Sequence, residues 1–243
     1  MTAGYLRLEL RRLARDRAYL IGTIVMPLLM YLLFTNLGAL SGQAKQVAAV
    51  YAMISMAAFG AIGAVLNNGG QIVEERAGGW LRQLRTTPMP PLRVVTVRAM
   101  TAMVVALPSI VVVCGAGVLL NGVRLDAGQW VRILVLLWLG VIPFALLGLA
   151  IGHGATARTL PIMNMLAYLG MAVLGGLWMP LDTFPAILRT VGRLLPTHAY
   201  GDLAWSIAFG YGIAGTDFLV LGAWLVIFGG LTVAAYRRSG RAA

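Results

Sequence analysis

Residues 71–91 read QIVEERAGGWLRQLRTTPMPP and separate two long apolar segments. The stretch holds Glu74 and Glu75, which are the only adjacent pair of acidic residues in the chain. A pair of glycines follows them, then a short amphipathic run that mixes leucines with arginines, and finally a Pro-rich end. In a chain that is otherwise so apolar, a polar stretch of this length predicts a surface that binds a partner protein.

The composition is that of a membrane protein. Of the 243 residues, 60% are hydrophobic and 11% are charged, whereas soluble domains carry roughly 25% charged residues. All eight acidic residues lie outside the long apolar runs, because a carboxylate in hydrocarbon is strongly unfavourable. The formal net charge of +11 comes mainly from arginines at the ends of the apolar runs, which indicates membrane topology rather than nucleic-acid binding.

Six apolar stretches reach the length of about 20 residues that a helix needs to cross a bilayer. The predicted spans cover residues 18–40, 47–70, 94–120, 130–152, 160–179 and 218–236. Fourteen of the nineteen Lys and Arg residues fall on the side that carries both termini and residues 71–91. The positive-inside rule therefore predicts a multi-pass protein of the cell membrane, with its N- and C-termini in the cytoplasm.

Two further segments are predicted to lie at the membrane surface or to dip into it. Residues 5–17 place leucines at helical spacing among five arginines, which is typical of an amphipathic interfacial helix. Residues 180–217 form the longest connection on the outer side, and their amphipathic, Pro-rich sequence predicts a helical segment that lies on the surface or re-enters the membrane. The expected fold class is all-α, with residues 1–243 forming a single transmembrane domain.

No catalytic or cofactor-binding motif occurs in the sequence. HExxH, GxSxG, a cysteine cluster and the nucleotide-binding pattern GxxxxGK[ST] are all absent, so the chain is not expected to be an enzyme or to hold a metal or cofactor. The spans also lack the Asp and Glu that ion-coupled transporters place at the membrane midplane. A transport bundle of this kind needs energy from a cytoplasmic partner, and residues 71–91 are the best candidate surface for binding it.

The polar residues inside the spans are neutral, which suits a pathway for a hydrophobic or amphipathic substrate. Hydrogen bonding between helices is the alternative role for each asparagine. The candidate pathway residues are Asn36, Ser55, Asn67, Asn68, Asn164 and Tyr168.

Two local patterns, in this order and topology, resemble the membrane subunit of type-2 ABC exporters, a permease family that includes drug, lipid and polysaccharide exporters. The family pattern of Glu-Arg, a Gly, two Leu and Thr-Pro is matched here by Glu75, Arg76, Gly79, Leu81, Leu84, Thr87 and Pro88. The family's Pro-rich re-entrant helices before the last span are matched by Pro180, Pro185, Leu195-Pro196 and Tyr200. One difference is that this chain has Trp80 and Arg82 where family members commonly carry Thr and an acidic residue.

The resemblance implies an arrangement of subunits as well as a fold. The fold has six transmembrane helices, an N-terminal interfacial helix, a cytoplasmic coupling helix and an extracytoplasmic re-entrant segment. Two permease copies, as a homodimer or a heterodimer with a similar subunit, would bind two cytosolic ABC ATPase subunits that carry ATP and Mg. The residues expected to dock on the ATPase are Glu74, Glu75, Arg76, Gly79, Trp80, Leu81, Leu84, Arg85, Thr87 and Pro88. Because Arg82 and Arg85 make this surface basic, we expect an acidic groove on the ATPase.

Several functions are compatible with these features. The favoured one is the transmembrane subunit of an ATP-driven exporter that moves a drug-like or lipid-like substrate out of the cytoplasm or the inner leaflet. A polysaccharide-exporting permease of the same family is one alternative. A membrane scaffold that recruits a cytosolic protein through residues 71–91 without transporting anything is another. An intramembrane lipid enzyme is disfavoured, because the spans contain no pair of carboxylates or histidines.

Overall fold

The chain folds into helices joined by short turns, as its hydropathy predicts. The computed structural model describes residues 21–36, 41–77 and 91–239, and these ranges contain no β-strand. A π-helical turn, Ile21–Val25, leads into α1 (Met26–Asn36); then follow α2 (Gly42–Ala77), α3 (Pro91–Asn121), α4 (Ala127–Leu139), α5 (Ile142–Gly154) and α6 (Leu160–Leu174). A 3₁₀ turn, Leu181–Thr183, precedes α7 (Ala186–Arg193), α8 (Pro196–Phe209) and α9 (Gly215–Ser239).

Four helical segments in the described ranges are long and apolar enough to cross a membrane. They are Gly42–Val73, Arg98–Asn121, Ala127–Gly154 and Gly215–Arg238, and they coincide with the predicted second, third, fourth and sixth spans. The predicted first and fifth spans coincide with the shorter apolar helices Ile21–Asn36 and Leu160–Leu174. The interfacial helix predicted at residues 5–17 and the start of the first span lie outside the described residues, so the six-span layout stays a prediction.

Helix α2 lies at the centre of the bundle. In its most apolar window 89% of the residues are buried, compared with 17% for α9 at the periphery. Small side chains such as Ala57, Ala58 and Ala61 are fully buried along α2, and small residues let neighbouring helices approach closely in a membrane. Helices α3 and α5 both pack along α2, while α9 packs on the far side of α5.

Helices α2 and α5 contact each other through the backbones of glycines. A Cβ atom added to Gly69 would lie 2.1 Å from the carbonyl oxygen of Gly148. One added to Gly152 would lie 2.3 Å from the carbonyl oxygen of Gly69. The sequence pattern of Gly148 and Gly152 is typical either of a tight bundle or of a dimer face. The structure places both glycines against α2 of the same chain.

The predicted fourth span is interrupted where a proline interferes with helical hydrogen bonding. Helix α4 ends at Leu139 and α5 begins at Ile142, immediately before Pro143. At this break the hydroxyl of Tyr200, a fully buried residue of α8, donates a hydrogen bond of 2.5 Å to the carbonyl of Leu137. A Cβ atom on Gly140 would lie 2.6 Å from the Tyr200 ring, so the ring occupies the space that this glycine leaves.

The helix at the predicted fifth span is shorter than the predicted span. The prediction covers residues 160–179, whereas α6 ends at Leu174. The helix stops at Gly175 and Gly176, and Gly176 has a φ of 85°, a conformation that favours glycine and cannot continue a right-handed helix. The residues after it turn away from the α6 axis and form part of a cavity described below.

The bundle has two ends, which we name after residues of α2. At the Gly42 end, the Tyr31 hydroxyl donates to the side-chain oxygen of Asn121 (2.7 Å), so α1 and α3 finish side by side. At the Ala77 end, the rings of His153 and Tyr236 are in contact, with centroids 5.3 Å apart, so α5 and α9 finish together there.

Candidate functional site

The stretch predicted to dock a partner connects α2 to α3 at the Ala77 end. Glu74, Glu75 and Arg76 belong to the last turn of α2, which ends at Ala77, and α3 begins at Pro91. The remaining predicted docking residues lie outside the described residues: Gly79, Trp80, Leu81, Leu84, Arg85, Thr87 and Pro88. The docking role of all these residues therefore stays a prediction.

A compact apolar cluster lies just inside the bundle from this stretch. It joins three helices through the buried side chains of Ile72 from α2, Val95 and Ala99 from α3, and Leu149 from α5. Ile72 is completely buried, only two residues before Glu74. This cluster packs the last turns of α2 against α3 and α5.

The chain of contacts continues from α5 to the last helix. The hydroxyl of Thr232 in α9 lies 2.7 Å from two carbonyl oxygens, that of Leu146 in α5 and that of Phe228 in its own helix, and Thr232 is fully buried. Helix α5 therefore contacts α2 through glycine backbones and α9 through this buried threonine.

Three of the candidate pathway residues are packed inside the bundle. Ser55 is completely buried, and its hydroxyl donates to the Tyr51 carbonyl of the same helix (2.8 Å). Asn68 is buried near the Ala77 end of α2. Tyr168 stacks on Phe59, with ring centroids 4.1 Å apart and planes 9° from parallel. Of the three, Tyr168 contacts another helix, because Phe59 belongs to α2 and Tyr168 to α6.

The other three candidate pathway residues lie nearer the surface. Asn36 and Asn67 are exposed, and the Asn36 amide donates to the carbonyl of Leu32 (2.9 Å). Asn164 in α6 is half-buried, and its side-chain oxygen has no hydrogen-bond partner. The six candidates are not brought together, and none of them lines the large cavity at the Gly42 end. Their role in substrate passage stays a prediction.

The Pro-rich segment after α6 is folded into short helices at the Gly42 end. Pro180 precedes the 3₁₀ turn, Pro185 precedes α7, and Pro196 is the first residue of α8. A fixed φ near −65° suits proline to these starting positions, so the three residues set where each short helix begins. Tyr200, the fourth residue predicted to belong to this segment, holds α8 against the break between α4 and α5.

A cavity of about 1350 Å³ lies at the Gly42 end, between the start of α2, the segment after α6, α8 and the start of α9. Tyr51 and Trp205 stack along its wall, with ring centroids 4.6 Å apart and planes 15° from parallel. The Tyr51 hydroxyl donates to the carbonyl of Gly176, which ties α2 to the segment after α6. The complete aromatic lining is Phe34, Tyr51, Trp178, Trp205, Phe209 and Tyr211.

The cavity also contains titratable side chains from the segment after α6, from α8 and from α9. Its acidic and basic lining residues are Asp182, Arg193, His198, Asp202 and Asp217. Asp202, in α8, and Asp217, in α9, are close neighbours in this lining. Burial lowers the pKa of the His198 imidazole below its ordinary value, and the Asp202 carboxylate acts in the opposite direction.

The sequence hints at this cavity through a local concentration of acidic residues and tryptophans, which a hydropathy profile does not show. Three of the eight acidic residues occur between positions 182 and 217, and Trp178 and Trp205 occur in the same part of the chain. From sequence these residues read only as an interhelical connection with an aromatic belt. Their convergence depends on how α8 and α9 pack, which hydropathy does not predict.

Comparison with known proteins agrees with the sequence patterns. Residues 38–234 match the family model described as "ABC-2 family transporter protein". The Bacillus subtilis (strain 168) protein named "Putative transport permease YvfS" is 26% identical over 221 residues, which cover 90% of this chain and 90% of that relative. The family match covers most of the chain and confirms the predicted relationship. The chain belongs to the ABC-2 family of transporters and is the transmembrane subunit of an ABC transporter, a permease that associates with an ATPase subunit.

Proposed function

We propose that the chain is the permease of an ATP-driven exporter in the cell membrane. In this proposal six helices cross the membrane, both termini lie in the cytoplasm, and residues 180–217 form an extracytoplasmic re-entrant segment. The ATPase partner holds ATP and Mg, and the permease itself holds no cofactor. The cargo is a hydrophobic or amphipathic molecule, drug-like or lipid-like, that leaves the cytoplasm or the inner leaflet.

The observation that carries this proposal is the continuous contact between the docking stretch and the rest of the bundle. Glu74 and Glu75 lie one turn beyond Gly69, whose backbone touches that of Gly148 and Gly152. A backbone contact transmits displacement without the slack of flexible side chains. Closure of an ATPase pair on residues 71–91 would move α2 and carry α5 with it, which switches the bundle between inward-facing and outward-facing states.

A second copy of the chain is proposed to pack along α6. Met165 and Leu166 are 60% and 66% exposed, so this face of α6 presents large apolar side chains that a second copy would cover. Leu166→Cys in a Cys114→Ser background is expected to form an intermolecular disulfide, whereas Val226→Cys on exposed α9 is expected not to.

The docking role is tested with the ATPase that co-purifies from gently solubilised membranes. After reconstitution, Glu75→Ala and Leu84→Ala are each expected to weaken ATPase docking by about 1–2 kcal/mol, roughly five- to thirtyfold in affinity. Both variants are expected to reach the membrane in normal amounts. Arg158→Ala, which changes the other short loop predicted on the same side, is the matched control and is expected to couple normally.

The outcomes of this experiment separate the candidate functions. Substrate export that is normal in both variants would refute the docking assignment. An ATPase that binds the chain but hydrolyses ATP at a rate independent of it would refute transport and favour the scaffold. Stimulation by a polysaccharide but not by an amphipathic molecule would favour the polysaccharide-exporting alternative.

A further inference from the structure

The cavity at the Gly42 end is negatively charged in a chain whose net charge is +11. Its carboxyl groups are those of Asp182, Asp202 and Asp217, and its single guanidinium is that of Arg193. Three carboxyl groups against one guanidinium give the lining an excess of negative charge, which an organic cation would offset.

Four buried polar atoms in the same lining lack hydrogen-bond partners: Trp178 Nε1, His198 Nδ1, Trp205 Nε1 and Asp217 Oδ2. Asp217 is 8% exposed and its Oδ2 atom has no hydrogen bond; Trp205 is 6% exposed and its Nε1 atom has none. The position of Asp217 in the first turn of α9 explains why a carboxylate is tolerated there, because a helix N-terminus favours negative charge. It does not supply the missing partner for Oδ2. Buried polar atoms are rarely left unpaired in folded proteins, and the unpaired carboxylate oxygen of Asp217 favours a positively charged ligand.

The shape and lining of the cavity favour an organic cation over a metal ion. A volume of about 1350 Å³ exceeds the 300–1,000 Å³ that is usual for pockets that hold drug-sized molecules. Among the described residues, no group of three or more His, Cys, Asp or Glu side chains is arranged to hold a metal. Aromatic rings such as Trp178 and Tyr211 line the same space, and aromatic faces attract organic ammonium groups.

We propose that this cavity binds an amphipathic organic cation, such as a substituted or quaternary amine, as the exporter's cargo. The assignment as cargo rests on the proposed export function, which would place this end of the bundle on the outer side of the membrane. The Asp202–Asp217 pair receives the cationic head, and the aromatic wall covers the apolar part of the molecule.

Binding is tested on the full chain in lipid nanodiscs with two probes of nearly identical shape. Tetraphenylphosphonium carries one positive charge, and tetraphenylborate carries one negative charge. Equilibrium dialysis, with probe uptake by protein-free nanodiscs subtracted, is expected to show saturable binding of the phosphonium at one site per chain and at least about tenfold weaker binding of the borate. Equal binding of the two probes, or saturable binding of neither, would overturn the proposal without any need for a variant.

Two variants then locate the site. The double variant Asp202→Asn with Asp217→Asn keeps the side-chain shapes and is expected to weaken phosphonium binding by about tenfold or more. Asp126→Asn is the matched control: it removes a carboxylate at the same end that does not line the cavity, and asparagine still caps the start of α4. Unchanged phosphonium binding in the double variant would overturn the assignment to this cavity.

The same preparation separates this proposal from the proposed function. If the phosphonium binds as expected but neither stimulates the ATPase nor crosses the membrane, the site stands and its role in export fails. If a neutral amphipathic molecule is exported while the phosphonium does not bind, export stands and the cation site fails.

Discussion

Replacing Gly152 by alanine tests the contact on which coupling is proposed to depend. The added Cβ atom would lie 2.3 Å from the carbonyl oxygen of Gly69, 3.0 Å from its carbonyl carbon and 3.1 Å from its Cα atom. All three are backbone atoms, so no side chain can rotate away. Ordinary contacts of a Cβ atom begin near 3.4 Å, and α2 and α5 must therefore separate locally by about 1 Å.

The energetic consequence follows from two opposing effects. Overpacking a well-packed interior destabilises a protein by about 1–3 kcal/mol. Alanine is favoured over glycine inside a helix by about 0.5–1 kcal/mol, which offsets part of that loss. The expected net result for Gly152→Ala is a decrease of about 1–2 kcal/mol in the free energy of unfolding. For a chain of this length that corresponds to roughly 2–8 °C in Tm.

The assay is unfolding of the purified chain in detergent, followed by ellipticity and repeated by SDS titration. Gly170→Ala is the matched control, because Gly170 lies in helix α6 and nothing approaches its Cβ position within 4 Å. Its stability is expected to be unchanged or slightly raised. If Gly152→Ala unfolds at the same midpoint as Gly170→Ala, the inference that α2 and α5 touch through their backbones is wrong.

Two other perturbations probe the Gly42 end. Tyr200→Phe removes the donor to the Leu137 carbonyl while keeping the ring. The free energy of unfolding, measured by SDS titration, is expected to fall by about 1–2 kcal/mol. An unchanged midpoint would contradict the role of this bond at the break between α4 and α5. Burial lowers the pKa of His198, so the unfolded chain binds this proton more readily than the folded one, and stability is expected to fall as the pH drops below 6.5. His198→Gln is expected to make stability less dependent on pH below 6.5. Identical profiles of stability against pH for the His198→Gln variant and the unsubstituted chain would contradict this role of His198.

The sequence by itself determined the helical class and the position of four helices long enough to cross a membrane. The predicted second, third, fourth and sixth spans coincide with such helices, because hydropathy is a local property: each window of the chain carries its own preference for lipid or water. The docking role of residues 71–91 stays a prediction. The family relationship was also predicted from short local patterns, and the match over residues 38–234 confirmed it.

Tertiary structure decided which residues meet. The sequence pattern does not show whether Gly148 and Gly152 face a second copy or α2 of the same chain, because this depends on the rotation of α5 about its axis. The structure places both against α2. The sequence pattern could not bring Asp202 together with Asp217 either, since they lie on different helices whose contact is set by packing. Carboxylates that the sequence merely places outside the spans thus become the lining of one cavity. The physical reason is that burial and hydrogen bonding are properties of neighbouring pairs, and neighbours in space are chosen by the fold.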